Sequence, residues 1–165
     1  MAQPLDHNER LIQIQSSLGK ALWQIQAFED TLAYLIALVL RIPPRVSLEE
    51  VEAIIDNVRS GTLGKLLKDM KKAISFDDTF ETFMSKILEE RNWLVHRSWR
   101  THGDFLAQEQ EFVDLRYRLS RLTADAKEFN EFFVGIIESW ARARGVTETE
   151  IESLSKEFAD VWRQA

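Results

Sequence analysis

Helical spacing of the apolar residues constrains the fold of this chain more than any other feature. Between Leu5 and about Arg41 an apolar side chain recurs every three or four residues, so these side chains share one face of a single long helix. The Pro43-Pro44 pair ends that helix, because proline has no amide hydrogen to donate and its ring obstructs the preceding turn. The predicted face consists of Leu11, Ile14, Leu18, Leu22, Ile25, Leu32, Leu35, Ile36 and Val39.

Capping residues and glycines divide the remainder of the chain into further helices. Ser47 and Thr147 are each followed by a glutamate three residues later, which is the capping-box pattern that begins a helix. The predicted helices cover about 47–58, 62–72, 77–98, 105–144 and 147–162, with a loop over 99–104 and a possible interruption near Thr123 or Gly135. No segment alternates as a strand would. We therefore expect one all-α domain over 1–165, a bundle of about five or six helices with a C-terminal helical extension over about 122–165.

Composition narrows the class of protein. The chain has 165 residues, no cysteine and a formal net charge of −6. Without cysteine it has no disulfide, thiolate zinc site or cysteine nucleophile. The negative charge argues against a protein that coats nucleic acid through its overall field. The sequence shows neither a signal peptide nor an apolar run of the roughly 20 residues that span a bilayer, so we expect a cytoplasmic protein without a membrane partner.

The helix predicted over 77–98, called here the motif helix, has one charged residue on its apolar face. Arg91 stands where a leucine would be expected, and an arginine in such a place is either paired inside the protein or available to an anion. Asn92 follows directly, and His96 lies one turn after Asn92. These three side chains are a candidate phosphate-handling group, since guanidinium binds phosphate and imidazole titrates near neutral pH. The apolar residues of the face are Phe80, Phe83, Met84, Ile87, Leu88, Leu94 and Val95.

Glu29 interrupts the apolar face of the first helix in the same way, with Asp30 beside it. One interpretation is a buried Glu29–Arg91 ion pair that fixes the register of two helices and adds little stability, because desolvation roughly cancels the attraction. The other interpretation is that Glu29 orients Arg91 toward a phosphate. The two interpretations are compatible.

His96 taken alone is typical of a solvent-exposed or capping histidine at a helix C-terminus, where its positive charge would be favoured. Asn92 changes that balance, because it shares a helix face with His96 and a hydrogen bond between them would select one imidazole tautomer. Arg91 and His96 are about 140° apart around the helix. They converge only if two copies of the motif helix pack about a two-fold axis.

Basic and aromatic residues alternate after the histidine. Arg97, Trp99 and Arg100 are candidate contacts to single-stranded RNA, through charge and base stacking. The alternative is that the tryptophans here are core or dimer contacts, and we favour that interpretation for Trp93.

The histidines give no metal signature. His7 and His102 are predicted at the surface, and the chain contains neither an H-E-x-x-H nor an E-x-x-H pair. It also lacks the glycine-rich loops that bind nucleotide phosphates. We therefore expect no metal and no cofactor.

The string Arg91-Asn92-Trp93-Leu94-Val95-His96 resembles the R-x4-H motif of the HEPN superfamily (higher eukaryotes and prokaryotes nucleotide-binding domains), where a polar residue often follows the arginine. The setting is similar too: a late helix in a compact all-α domain, after a long first helix and a short one that begins Thr-Leu-Gly-Lys-Leu-Leu. The resemblance covers roughly the first 120 residues.

This resemblance implies a homodimer whose two motifs form one cleft and, in many members, a metal-independent endoribonuclease. By the resemblance His96 acts as general acid–base, Arg91 binds the scissile phosphate, and Asn92 orients one of them, while Glu29 supports Arg91. The implied products are a 2′,3′-cyclic phosphate and a 5′-hydroxyl. The implied role is a toxin or an anti-phage defence protein, with an antitoxin or a nucleotidyltransferase as a possible partner.

Ser98 departs from one family pattern. Toxins of this superfamily that pair with a nucleotidyltransferase antitoxin often carry a tyrosine two positions after the histidine, where this chain has Ser98. Control by modification of such a tyrosine is therefore not expected. Other members have lost activity, so the alternative function is a non-catalytic helical module for dimerisation, nucleotide binding or protein interaction.

Overall fold

Helices make up nearly all of the chain that the computed structural model describes, which comprises residues 5–42, 47–73, 75–150 and 152–153. No strand occurs within these residues, and the predicted all-α class is confirmed. A π-helical segment, Ile36–Arg41, continues the first helix directly. The α-helices are α1 (His7–Leu35), α2 (Leu48–Arg59), α3 (Leu63–Ala73), α4 (Asp78–His96), α5 (Ser98–Thr101) and α6 (Glu109–Arg142).

Side chains at the N-termini explain where three of these helices begin. Ser47 and Glu50 form the predicted capping box of α2, with each side chain bonded to the backbone amide of the other residue. Asp6 and Glu9 form a second capping box at α1 that the sequence interpretation did not include. Asp77 accepts the amide hydrogen of Phe80 and so caps α4, the motif helix.

The end of α6 also agrees with the sequence pattern. Gly145 follows it with φ of +87°, the left-handed conformation that glycine adopts without strain. Thr147 and Glu150 then make the reciprocal bonds of a capping box, with the Thr147 amide 2.8 Å from a Glu150 carboxylate oxygen. The helix predicted from there to about residue 162 lies mostly outside the described residues.

The two longest helices, α1 and α6, form the centre of the fold and run parallel. At one end Arg10 of α1 pairs with Glu109, and its guanidinium lies 5.5 Å from the ring centre of Phe112. At the other end Phe28 stacks on Phe133 at 5.9 Å. Arg10 is only 7% exposed, although its position in the polar start of the chain gave no sign of burial.

The motif helix α4 lies antiparallel to α6. Phe80 near its start packs on Phe129 and Phe133, and Glu90 near its end pairs with Arg118. The short helix α3 packs its predicted apolar face inward, while its lysines are exposed. The buried residues of α3 are Leu63, Leu66, Leu67 and Met70.

Several predicted details are wrong. Phe83, Val95 and Leu22 were assigned to apolar faces, but each is more than 40% exposed; for Phe83 this holds although its ring lies 5.9 Å from that of Phe129. The helix α6 continues through Thr123, whose hydroxyl donates to the Leu119 carbonyl within the helix, and through Gly135. The predicted loop over 99–104 begins with the last residues of α5.

Candidate functional site

Arg91 and Glu29 form the predicted ion pair between α4 and α1. The Arg91 Nε donates to Glu29 Oε1 at 2.9 Å. The two side chains are 24% and 25% exposed, so the pair is half-buried rather than sequestered. One carboxylate oxygen therefore fixes the guanidinium through a single nitrogen, which leaves the Nη edge of the fork for another acceptor.

Asn92 is positioned to serve Arg91 rather than His96. Its Oδ1 accepts a hydrogen from Arg91 Nη1 at 3.5 Å, the outer limit for such a bond. The predicted Asn92–His96 bond is not among the hydrogen bonds of the described residues. The sequence left open whether Asn92 orients Arg91 or His96, and in the structure Asn92 contacts Arg91.

His96 is the last residue of α4, and its side chain is exposed. In the part of the chain that the structure covers, its imidazole has no hydrogen-bond partner, so both ring nitrogens are open to a substrate. Within this single chain Arg91 points toward α1 and His96 points to solvent, in agreement with the divergence predicted from the helix. We refer to Glu29, Arg91, Asn92 and His96 as the Arg91 cluster.

The other predicted substrate contacts lie on or next to α5. Arg97 and Arg100 are exposed, and Trp99 is 71% exposed, with its ring edge-on to Phe105 at 6.1 Å. Ser98 is different, because its hydroxyl donates to the Leu94 carbonyl at 2.7 Å and so closes the end of the motif helix. Arg97, Trp99 and Arg100 are thus available to a ligand, while Ser98 has a structural bond.

Arg59 is a neighbour of the cluster that the sequence interpretation missed. It donates from Nε and Nη2 to the two carboxylate oxygens of Asp30, at 3.1 and 3.0 Å. Hydrogen bonding to the Asp30 carboxylate is the main cause that raises the pKa of Arg59 above its ordinary value. Asp30 directly follows Glu29 on α1. This pair of adjacent acids was the only feature of the sequence that could have pointed to a second bound arginine.

A second polar cluster covers the opposite side of the motif helix. Arg118 of α6 donates to both oxygens of Glu90, at 2.7 and 2.9 Å, and its guanidinium carbon lies 3.6 Å from the ring centre of Trp93. The Trp93 Nε1 donates to Thr101 Oγ1 at 2.9 Å. Trp93 itself is 2% exposed, which confirms the core interpretation favoured for it.

His102 belongs to this second cluster, and its predicted surface position is wrong. Its side chain is 16% exposed, its Nδ1 lies 3.0 Å from Glu111 Oε2, and its ring meets Trp93 edge-on at 5.8 Å. The chain after α5 folds back over the C-terminal end of α4, and this return encloses the His102 ring. His7, by contrast, is exposed as predicted. We refer to Glu90, Trp93, Thr101, His102, Glu111 and Arg118 as the Trp93 cluster.

Neither a metal site nor a membrane segment is apparent in the described part of the chain. Within it no three histidine, aspartate or glutamate side chains come together as ligands, and no helix has the length and apolar character to cross a bilayer. An apolar groove of about 280 Å³ lies between α4 and α6 beside Phe80 and Phe83. That groove includes no residue of the Arg91 cluster.

Comparison with known proteins does not assign the chain to a family. No protein-family model, curated protein or solved structure matches it.

Proposed function

We propose that this protein is a metal-independent endoribonuclease of the HEPN type, active as a homodimer. The observation that carries the proposal is the state of Arg91: Glu29 holds it through Nε alone, on the same helix as an exposed histidine. An arginine held in this way presents a fixed fork of donors to a phosphate. The substrate is RNA, and the products are a 2′,3′-cyclic phosphate and a 5′-hydroxyl.

The chemistry needs a base, an acid and a cation at the phosphorus. One imidazole removes the proton of the ribose 2′-hydroxyl, and the 2′-oxygen then attacks the adjacent phosphorus. As the bond to the 5′-oxygen breaks, a second imidazole gives that oxygen a proton, and the cyclic phosphate remains. Arg91 stabilises the negative charge that develops on the phosphorane oxygens, while Glu29 and Asn92 keep its guanidinium in position.

A dimer supplies the two imidazoles, since each protomer has one His96. The surface beside the cluster suits such an assembly: Val95, one turn after Arg91, is 47% exposed, and Leu22, two turns before Glu29 on the same face of α1, is 41% exposed. Exposed apolar side chains next to a polar site favour association. Pairing of two motif helices across a two-fold axis would bring Arg91 of one protomer toward His96 of the other.

The nuclease proposal is tested by incubating the purified protein with cellular RNA in EDTA. We expect cleavage by the wild type, with cyclic-phosphate ends, and none by His96→Ala. His7→Ala is the matched control, because His7 is equally exposed but lies at the start of α1. If the wild type cuts no RNA at any salt concentration, the proposal is wrong.

The dimer is tested separately by the mass in solution. We expect the wild type to sediment as a dimer and Val95→Asp to sediment as a folded monomer that no longer cleaves RNA, because a carboxylate would be buried without a partner. A wild-type monomer that still cleaves RNA would show that the two histidines are not needed.

The cellular role is proposed from the same resemblance: a toxin or an anti-phage defence protein, controlled by an antitoxin or an activating partner. Control by modification at Ser98 is not part of the proposal, because the Ser98 hydroxyl is already bonded to Leu94. Growth arrest on expression of the wild type, relieved by His96→Ala, is the expected result.

The second candidate function is a non-catalytic module that binds a nucleotide, a partner protein or a second copy of the chain. The observation that favours it is the charge balance of the Glu29–Arg91 pair, which is neutral overall. Full burial of Arg91 and His96 would favour this candidate more strongly. Arg91 is one-quarter exposed and His96 is open to solvent, so the nuclease remains first.

A further inference from the structure

A second arginine is held next to the Arg91 cluster by the same part of α1. Arg59, the last residue of α2, is bound by Asp30, and Arg91 of α4 is bound by Glu29. Glu29 and Asp30 are consecutive on α1, so their side chains leave the helix about 100° apart, and Arg91 and Arg59 are anchored on adjoining sides of the same turn of α1. Two guanidinium groups in this arrangement can contact one extended anion.

The Asp30 carboxylate leaves one edge of Arg59 unoccupied. The carboxylate accepts hydrogen bonds from Arg59 Nε and from one hydrogen of Arg59 Nη2, and none of the described residues accepts a hydrogen bond from Nη1. The side chain is 41% exposed, and its guanidinium lies 5.5 Å from the ring centre of Tyr34, which limits its rotation. Arg59 therefore has donors in a fixed plane that solvent or a ligand can reach.

The surface that continues from Arg59 is also basic. After the turn at Ser60, helix α3 exposes Lys65 and Lys68, and neither is in an ion pair within the described chain. The lysines at the other end of α3, Lys71 and Lys72, are paired with acids. The uncompensated positive charge of α3 thus lies at the end nearest Arg59. Asp30 and Asp56 are the acidic groups that act on Arg59 itself.

The geometry points to Arg59 as a second phosphate-binding residue. An RNA strand whose scissile phosphate contacts Arg91 would place a neighbouring phosphate at Arg59 and continue toward Lys65 and Lys68. This inference rests on the proposed function and adds the substrate class: a single strand that extends past the cleaved bond on the α3 side. A flexible single strand can bring successive phosphates to basic side chains that come from three different helices.

The test measures binding of a short 2′-O-methyl oligonucleotide, which cannot be cleaved because its 2′-oxygen carries no proton. We expect Arg59→Ala to bind roughly tenfold more weakly and to lower the salt dependence of log K by about 0.7, the amount for one lost single-strand phosphate contact. We expect Asp30→Asn to bind more tightly than the wild type, because it removes a negative charge and keeps Arg59.

The expected changes in affinity have opposite signs, weaker for Arg59→Ala and tighter for Asp30→Asn. They distinguish RNA binding by Arg59 from a purely structural link between α2 and α1. If Arg59 and Asp30 only hold the helices together, both variants will weaken binding or neither will change it. Arg59→Lys keeps the charge and is expected to retain the wild-type salt dependence, even if the loss of the fork lowers stability. Urea unfolding of each variant shows whether the fold is intact.

Arg142→Ala is the matched control. Arg142 binds Glu148 through the same two nitrogens, at 2.8 and 2.9 Å, and is similarly exposed, but it belongs to α6, which carries no residue of the Arg91 cluster. We expect it to bind the oligonucleotide as the wild type does. Equal binding by Arg59→Ala and the wild type, or no binding by the wild type at low salt, would overturn the inference.

The binding assay distinguishes this inference from the proposed function. If the wild type binds the oligonucleotide through Arg59 but cuts no RNA, the nuclease proposal fails and the second phosphate contact stands. If the wild type cuts RNA through His96 and Arg59→Ala changes neither binding nor cleavage, the inference fails and the nuclease stands.

Discussion

Two polar clusters flank the C-terminal half of the motif helix, and they differ in how completely their hydrogen bonds are satisfied. In the Trp93 cluster, Glu90 binds Arg118 through two nitrogens and an aromatic ring covers the guanidinium. In the Arg91 cluster, Glu29 binds Arg91 through one nitrogen, and His96 has no partner within the described chain. Both clusters contain an arginine, a histidine and a carboxylate, so residue type does not separate them.

The difference between Arg118 and Arg91 teaches that the contacts an arginine already makes are a better guide to its role than the residue types around it. Arg118 is paired at two nitrogens and stacked on the buried Trp93 ring, so its removal takes contacts from the core and leaves Glu90 without that partner. An arginine held at one nitrogen is oriented but still able to bind. We therefore assign the Trp93 cluster to stability and propose the Arg91 cluster for chemistry.

The largest expected effect separates the two tryptophans of this region. Trp93→Ala should lower the free energy of unfolding by about 3–5 kcal/mol, because it removes a buried ring and its bond to Thr101. Trp99→Ala should leave stability within about 0.5 kcal/mol and weaken RNA binding, because its exposed ring is free to stack on a base. Urea unfolding and oligonucleotide titration measure the two effects. Equal losses of stability would contradict the division between the clusters.

Arg91 and Arg118 are expected to differ as the two tryptophans do, one affecting mainly RNA and the other mainly stability. Arg91→Ala should reduce RNA cleavage by about 10²–10³-fold, the usual cost of one donor to a developing oxyanion, and should lower the free energy of unfolding by no more than about 1 kcal/mol through loss of the half-buried ion pair. Arg118→Ala should lower the free energy of unfolding by about 1–2 kcal/mol, because it removes a cation–π contact and a partly exposed ion pair. Once folded, it should cleave RNA at close to the wild-type rate. A catalytic defect in Arg118→Ala equal to that of Arg91→Ala would place both clusters in one site.

Much of the fold was predictable because its signals are local. The capping box at Ser47, the apolar face of α3 and the end of α6 at Gly145 depend on residues within a few positions of each other. The Glu29–Arg91 pair was predictable for a different reason. Each residue interrupts an apolar face, and opposite charges in two such places favour each other.

The remainder depends on how the helices cross, and no local pattern encodes that. Trp93 points away from the predicted apolar face of α4, and it is buried because Arg118 of α6 stacks on its ring and the chain from α5 onward packs against it. The same part of the chain encloses His102. Arg59 meets Asp30 because α2 ends beside the last turns of α1, which the spacing of the sequence does not reveal.

A smaller effect is expected from the acids that hold the two arginines. Glu29→Gln keeps an oxygen that can accept from Arg91 Nε but removes the negative charge, so it should bind RNA more tightly and cleave it about tenfold more slowly. The slower cleavage follows from weaker orientation of the guanidinium. Glu90→Gln should change neither property and should lower only the stability. Binding to an uncleavable oligonucleotide and single-turnover cleavage separate the two effects, and slower cleavage by Glu90→Gln would contradict the comparison.

The smallest effect concerns an exposed polar contact outside both clusters, the capping box at the start of α2. The backbone amide and hydroxyl of Ser47 donate to Glu50, and these hydrogen bonds lower the pKa of Glu50 below its ordinary value of 4.5. A carboxylate whose folded pKa is depressed stabilises the fold above the unfolded pKa, and this stabilisation is lost as the pH falls through the folded pKa. We therefore expect the wild type to be slightly more stable than Glu50→Gln at neutral pH and the difference to vanish in acid. Unfolding in urea at a series of pH values measures it. Cleavage of RNA at neutral pH should be the same for both proteins, because α2 contributes to the proposed site only through Arg59, at its other end. Slower cleavage by Glu50→Gln would mean that the position of Arg59 depends on how α2 begins.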